Sequence, residues 1–405
     1  ARAREVRDFA FAFSPRFEPR RETVAPEGLP KVEVLLFLQP DHRRSRARYL
    51  RAAREGLAHF GKRLGPYPYP TLTIVDPPSG SGAAATSWPT LLAGSTGWLS
   101  PASAVEVETL VLRLLARQWL GGVVATDGGD AGPLDEGLAT WVARRAAVRL
   151  FGPERPVLQA FGVPIALDAL ERPLPEDGVP DVPESSSGGP WDSRRTPLLL
   201  ESVARTAGER PLLAALGEYV RRFAFRDATT RDLLDVVGEV AGAETRGLLE
   251  RGWRSAGEVD HAVTRAVTVR NVLPPAERAV ADSGRTLRAP SAPGASWDST
   301  VVVRRRGEPA WPVEVELRFD GGHVVKRRWD GGGAEVRYRA TGPRLVSAVV
   351  DPHRVCLLDR NRLNDGLFTE PDPTAALSWG HRLRFLAQNL LELFALLAAL
   401  PGAAR

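Results

Sequence analysis

The hydrophobic period of this chain turns from helical to alternating near Val259, and the change divides it. Before that point, from Pro197 to Gly257, apolar residues return every three or four positions in "PLLLESVART", "RPLLAALGEYVRRF", "TTRDLLDVVGEVAG" and "ETRGLLERGW". That spacing lines them up on one side of successive helices. After it the period is two, in "AVTRAVTVR", "STVVVRRRG", "VEVELRFDGG", "HVVKRRW", "AEVRYRA" and "LVSAVVD". Such alternation suits strands with one buried face. With 405 residues, the chain is also too long for one simple core. The expectation is an α+β multidomain protein.

The first part mixes both periods. "VRDFAFAFSPRF" (6–17) reads as an aromatic strand and "KVEVLLFLQ" (31–39) as a buried one. Over 43–64, Tyr49, Leu50, Ala53, Leu57, Phe60 and Leu64 share one helical face, and "TLTIVD" (71–76) returns to strand. Helices are expected from about Ala104 to Trp119 and from Glu136 to about Leu150. Residues 152–192 are rich in Pro, Gly and Ser and read as an irregular excursion. Thr229 with Asp232 resembles a capping box.

The expected segments are 1–30, a remnant strand of a preceding β-domain; 31–151, an α/β domain; and 152–257, the excursion with helices. A β-sandwich follows over 258–365, with a long loop at 277–297, and then a C-terminal helical segment, 366–405. In the last, "LRFLAQNLLELFALLAAL" (383–400) is strongly apolar, yet Arg384, Gln388, Asn389 and Glu392 argue against a clean membrane span. Two readings stay open: a helix docked on the domain surface, and an interfacial helix or the entrance to a span.

Composition excludes several functions. The formal net charge of +5 comes with no clustered basic stripe, so nucleic acid is not an expected partner. Cys356 is the only cysteine, which rules out an intrachain disulfide; inside an expected strand it reads as a buried, inert thiol. There is no Met and no signal-peptide pattern, so the chain is expected to begin within a longer precursor. The six histidines are scattered, with His59 and His353 read as structural, and no metal cluster stands out. There is no G-x-S-x-G elbow, "SGSG" (79–82) reads as a loop, and "DGGD" (127–130) as a turn rather than a calcium loop.

The chemistry-bearing stretch is "RLLARQW" (113–119) followed by "LDEGLATW" (134–141). A zinc peptidase with an H-E-x-x-H motif sets two histidines one helical turn apart, so that both imidazoles share a face. Its glutamate is the general base, and a later glutamate is the third ligand. The stretch resembles the membrane-alanyl-aminopeptidase-like family of gluzincin metallopeptidases, in which Gln-Trp follows the motif. On that register Arg113 and Arg117 occupy the histidine positions, Leu114 the base position and Glu136 the third-ligand position. Eighteen residues separate Arg117 from Glu136, as the family requires. "VRDFAFAFS", "HFGKRLGPYPYPTLTIV" and "AATSWPTLLAG" also look like family segments; in the last, Ser87 falls where active members carry the glutamate that holds the substrate amine. The transition-state tyrosine is expected just before Thr196, where Ser193, Arg194 and Arg195 stand instead.

The resemblance, covering roughly residues 5–257, implies a thermolysin-like peptidase domain of mixed sheet and helices. It also implies a zinc cofactor whose ligands are lost here, so no metal or other cofactor is expected. Arginine does not replace histidine as a ligand, because its guanidinium stays protonated and offers no lone pair. Glu136 is expected to pair with Arg113 or Arg117; the open alternative has solvated arginines and Glu136 as a helix-start carboxylate. The implied function is a pseudopeptidase: a binding or scaffold subunit for a peptide or protein partner, in a membrane complex or with a transporter, held at the membrane by the C-terminal helix. The alternative is a divergent metallo-aminopeptidase with residual or relocated activity. Glu136, Arg113, Arg117, Ser87 and Trp88 are the expected binding residues, and none is expected to be catalytic.

Overall fold

The computed structural model describes residues 5–6, 8–78, 85–94, 105–126, 131–152, 158–160, 163–165, 195–255, 258–270, 286–288, 296–370 and 374–398. The chain forms two compact units. The first comprises Ala1–Asp260, Arg306–Pro312 and His353–Asn361, and the second His261–Arg305, Val313–Pro352 and Arg362–Arg405.

The first unit carries a five-stranded sheet built from β1 (Glu18–Val24), β2 (Val32–Leu38), β3 (Thr71–Val75), β4 (Thr86–Trp88) and β5 (Leu91–Ala93), in the order β1-β2-β3-β5-β4. β2, β3 and β5 run parallel, while the two edge strands are antiparallel to their neighbours. β2 buries Val32, Val34, Leu36 and Leu38 on one face. α1 (Arg46–Arg63) connects β2 to β3 and buries Tyr49, Ala53, Leu57 and Phe60; with Leu64 buried at its C-cap, five of the six residues expected on its inner face are covered. α2 (Glu106–Ala116) crosses α1 at Gly56, where a Cβ would lie 2.7 Å from Leu115 Cδ2. Arg48 on α1 and Glu108 on α2 add a bidentate ion pair at 2.9 and 2.6 Å.

After β6 (Ala125–Thr126) comes α3 (Ala131–Phe151), longer at its start than the sequence suggests. Two short strands, β7 (Leu158–Ala160) and β8 (Val163–Ile165), interrupt the expected excursion, whose residues 166–192 lie outside the described ones. Four helices follow: α4 (Arg195–Ala207), α5 (Glu209–Arg222), α6 (Thr230–Ala241) and α7 (Ala243–Arg254), with β9 (Asp227–Ala228) before α6 pairing with β6. The box at Thr229 and Asp232 caps α6 as expected. α3 packs closely on α4 at Gly137, where a Cβ would fall 2.3 Å from Thr196 Cβ. Trp141 Nε1 and Arg145 Nη1 of α3 also donate to Glu201 of α4, at 2.9 and 3.2 Å.

The second unit has two four-stranded sheets. One runs β10 (His261–Arg270), β12 (Trp297–Arg305), β15 (Glu335–Gly342), β11 (Thr286–Arg288); the other runs β14 (Val324–Trp329), β13 (Val313–Phe319), β16 (Leu345–Val350), β17 (Gly366–Phe368). Their core includes Val301, Val303, Val315, Leu317, Tyr338, Leu345 and Val350. The β13–β14 turn uses Gly321 at φ 76°, a left-handed position that favours glycine. α8 (Thr374–Ala398) ends the described chain.

Several expectations change. Residues 8–13 are extended but belong to no sheet, and the first strand is instead β1. The period-two phenylalanines there have no neighbouring strand, whereas the charged β1 sequence "EPRRETV" pairs along its whole length with β2. The long loop at 277–297 contains β11, its remaining residues up to 295 lying outside the described ones, and β17 runs past residue 365. Cys356 is buried, but in an irregular segment rather than a strand. α8 begins nine residues before the expected Leu383. "SGSG", "DGGD" and residues 193–194 lie outside the described residues.

Candidate functional site

Arg113 sits in the last turn of α2 and Arg117 caps that helix, its backbone N–H donating to the Arg113 carbonyl at 3.2 Å. Both side chains lie one turn apart and reach α3. Arg113 Nη1 donates to Glu136 Oε1 at 3.2 Å, and Arg117 Nη1 donates to Glu136 Oε2. Thr140, one turn further along α3, donates its hydroxyl to Oε1 at 3.4 Å. The three charged side chains are 36%, 28% and 21% exposed, so water reaches the cluster without swamping it. Its net charge is +1.

Glu136 lies in the second turn of α3, because that helix starts at Ala131 rather than at Glu136. The macrodipole fades beyond the first turn, so the ion pairs, rather than the helix start, satisfy this carboxylate. Asp135, one residue earlier, is buried and leaves the helix about 100° away. It accepts the Thr126 hydroxyl at 2.7 Å and the Thr126 N–H at 3.2 Å. Leu114 points into the core, 3% exposed, and packs where a Cβ on Gly94 would be 3.0 Å from its Cδ1.

Ser87 and Trp88 lie on β4, the edge strand. They are joined to the end of α2 by Gln118, a residue the sequence marked only as part of a motif. Its Nε2 donates to Ser87 Oγ at 2.6 Å and to the Trp88 carbonyl at 2.8 Å. Its Oε1 accepts the Thr90 N–H at 2.9 Å and the Tyr67 hydroxyl at 3.1 Å. Thr90 holds φ at 67°, costly for a β-branched residue, and the Gln118 bond helps to hold it there. Trp88 also lines a groove of about 680 Å³ with Phe9, Phe11, Phe13, Val75 and Leu91. The three phenylalanines are exposed, with successive ring centroids 6.3 Å apart.

Two buried histidines lie elsewhere in this unit. His42 pairs with Asp76 at 2.7 Å; burial raises the Asp76 carboxyl above its usual range, against the pull of the Gln39 N–H and of His42. Burial first, then the Arg63 and Arg149 charges, lower the His59 pKa to about 4, so its imidazole is neutral at neutral pH.

No protein-family model matches the chain. It is 25% identical over 160 residues to aminopeptidase 2, mitochondrial, of Saccharomyces cerevisiae, covering 38% of this chain and 17% of that protein. It is 25% identical over 223 residues to aminopeptidase 2 of Candida albicans, covering 51% and 24%. Against aminopeptidase M1-A of Oryza sativa subsp. japonica the identity is 26% over 206 residues, covering 47% and 23%. The chain thus spans a quarter or less of the length of these relatives. The crystal structure of Legionella pneumophila aminopeptidase A in complex with aspartic acid matches with a TM-score of 0.58 at 12% identity, covering 85% of this chain and 38% of that one. The chain is distantly homologous to aminopeptidases, and its mixed α+β architecture shares their fold.

Proposed function

We propose that this chain is a catalytically inactive aminopeptidase-like protein, a pseudopeptidase that acts as a binding or scaffold subunit. The observation that carries this reading is the clamp of Arg113 and Arg117 on Glu136. In the thermolysin-like register these three residues take the places of the two histidine ligands and the carboxylate ligand. Two protonated guanidiniums repel a dication and have no lone pair to give it, and both oxygens of Glu136 already accept from them. This donor set does not fit zinc. Leu114 brings no base, and Ser87 binds Gln118 instead of presenting a carboxylate to a substrate amine.

What the arrangement supports is attachment. The ion pairs hold α2 and α3 together, and Gln118 holds β4 to the end of α2. β4 is an edge strand beside an apolar groove, a surface suited to an extended peptide or a segment of a partner protein.

Metal analysis of the purified chain, together with hydrolysis of amino-acid 4-nitroanilides, tests the proposal. The expected result is substoichiometric zinc and no turnover above the buffer rate. Stoichiometric zinc that disappears in Glu136→Ala, or hydrolysis that a chelator abolishes, overturns it in favour of a divergent metallo-aminopeptidase.

A further inference from the structure

α8 spans Thr374–Ala398, 25 residues and ~37 Å of helix. Every side chain described along it is exposed, including Leu377, Leu383, Phe385, Leu386, Leu390 and Leu391 at 52–69%. Scattered apolar residues on a surface need no explanation, but this many on one helix do.

Two kinds of cover fit such a helix. Leu383, Leu386, Leu390, Leu393 and Leu397 recur at alternating spacings of three and four, a seam that a second helix accepts. A partner helix, however, covers only one side. Leu391 and Phe385 lie roughly 120° to either side of the seam's centre, and both are exposed. From Leu390 to Ala398, Glu392 is the only polar residue. A helix that is apolar nearly all round calls for an apolar medium rather than a groove.

Charge points to the same medium. Near its middle the helix carries Arg382 and Arg384, against the single acid Glu392 further on. Arg384, Gln388 and Glu392, four residues apart, form a narrow polar stripe, and Asn389 satisfies its own amide on the Phe385 carbonyl at 2.7 Å. Among the described residues no helix is long and apolar enough to cross a membrane.

We propose that α8 is a lipid-docking helix. Its C-terminal half enters one leaflet of an anionic bilayer, and His381 and Arg384 lie at the level of the headgroup phosphates. The inference rests on the second unit alone and does not depend on the inactive-peptidase reading.

Co-sedimentation of the full chain with phosphatidylcholine vesicles, with or without about 30% phosphatidylglycerol, tests it. The expected result is pelleting with the anionic vesicles. Partition should drop at least about five-fold in Arg384→Glu, the effect of about 1 kcal/mol per basic residue. It should drop to background in the triple variant Leu383→Ser, Leu386→Ser, Leu390→Ser, whose exposed changes should leave the melting temperature unaltered. Protein that stays in the supernatant with both vesicles, or a triple variant that pellets like the parent, overturns the proposal. So does equal pelleting with neutral vesicles, which removes the headgroup assignment. A lipid-free dimer in sedimentation velocity that the triple variant abolishes, without vesicle binding, assigns the leucine seam to a second copy instead.

Discussion

Arg117 and Glu136 meet across the α2–α3 contact, guanidinium on carboxylate, with Arg113 on the other carboxylate oxygen at 3.2 Å. One carboxylate therefore serves two cations, and its loss should cost more than the loss of either arginine. In Glu136→Gln, stability should fall by about 1–2 kcal/mol, a range that allows for the partial exposure of the pair. Urea titration checks this, and a double-mutant cycle with Arg117→Gln should give coupling that weakens with added salt.

If Arg113 and Arg117 hold the places of histidine ligands, Arg113→His with Arg117→His should create a two-histidine, one-carboxylate site with Glu136. The double variant is expected to bind about one zinc per chain by metal analysis, without gaining hydrolytic activity, since Leu114 and Ser87 remain. A folded double variant that takes up no zinc speaks against the register.

Gln118 satisfies four partners with one buried amide. Gln118→Leu removes the partner of a serine hydroxyl, a carbonyl and a backbone N–H, while the Tyr67 hydroxyl keeps the Thr71 carbonyl at 3.4 Å. The expected loss is about 3 kcal/mol or more. Hydrogen exchange should show it first in β4 and β5, where Thr90 is freed to leave its left-handed conformation.

His59 gives a pH signature. Its pKa is lowered in the folded state to about 4, from 6.5 when unfolded. Its neutral form is therefore compatible with the fold above pH 6.5, and stability is lost as pH falls from there through about 4, because the unfolded chain takes up the proton first. NMR titration of the imidazole should give a midpoint near 4, and His59→Gln should flatten the stability curve over that window.

At Gly137 the backbone of α3 packs directly against the Thr196 side chain of α4. Gly137→Ala sets a methyl group 2.3 Å from Thr196 Cβ, and the expected cost is about 1–3 kcal/mol. Pairing it with Thr196→Ser, which removes a methyl from that contact, should recover part of the loss in thermal melts.

The four helices after Pro197 were legible because each carries an apolar stripe that tertiary packing uses directly. The meeting of Arg113, Arg117 and Glu136 was legible because the resemblance to the zinc-peptidase register implies it, with the two arginines one helical turn apart on one face. β1 was not, since "EPRRETV" exposes most of its side chains and is a strand only through its pairing with β2. The same physics misplaces "FAFAF", which alternates correctly but has no neighbour. Gln118 was hidden for another reason: its partners lie 28 to 51 residues away, and no local pattern announces them. The start of α8 was also obscured, because "ALSWGH" breaks the apolar run used to find it.

Asp135 and Glu136 are neighbours on α3 that grip different objects, one the Thr126 turn and the other the two arginines of α2. Their side chains leave the helix about 100° apart. Two anchors at that angle fix the rotation of α3 about its own axis as well as its position. A rigid-body turn of α3 that draws Glu136 from its arginines would also pull Asp135 from Thr126, so the clamp resists torque as well as separation.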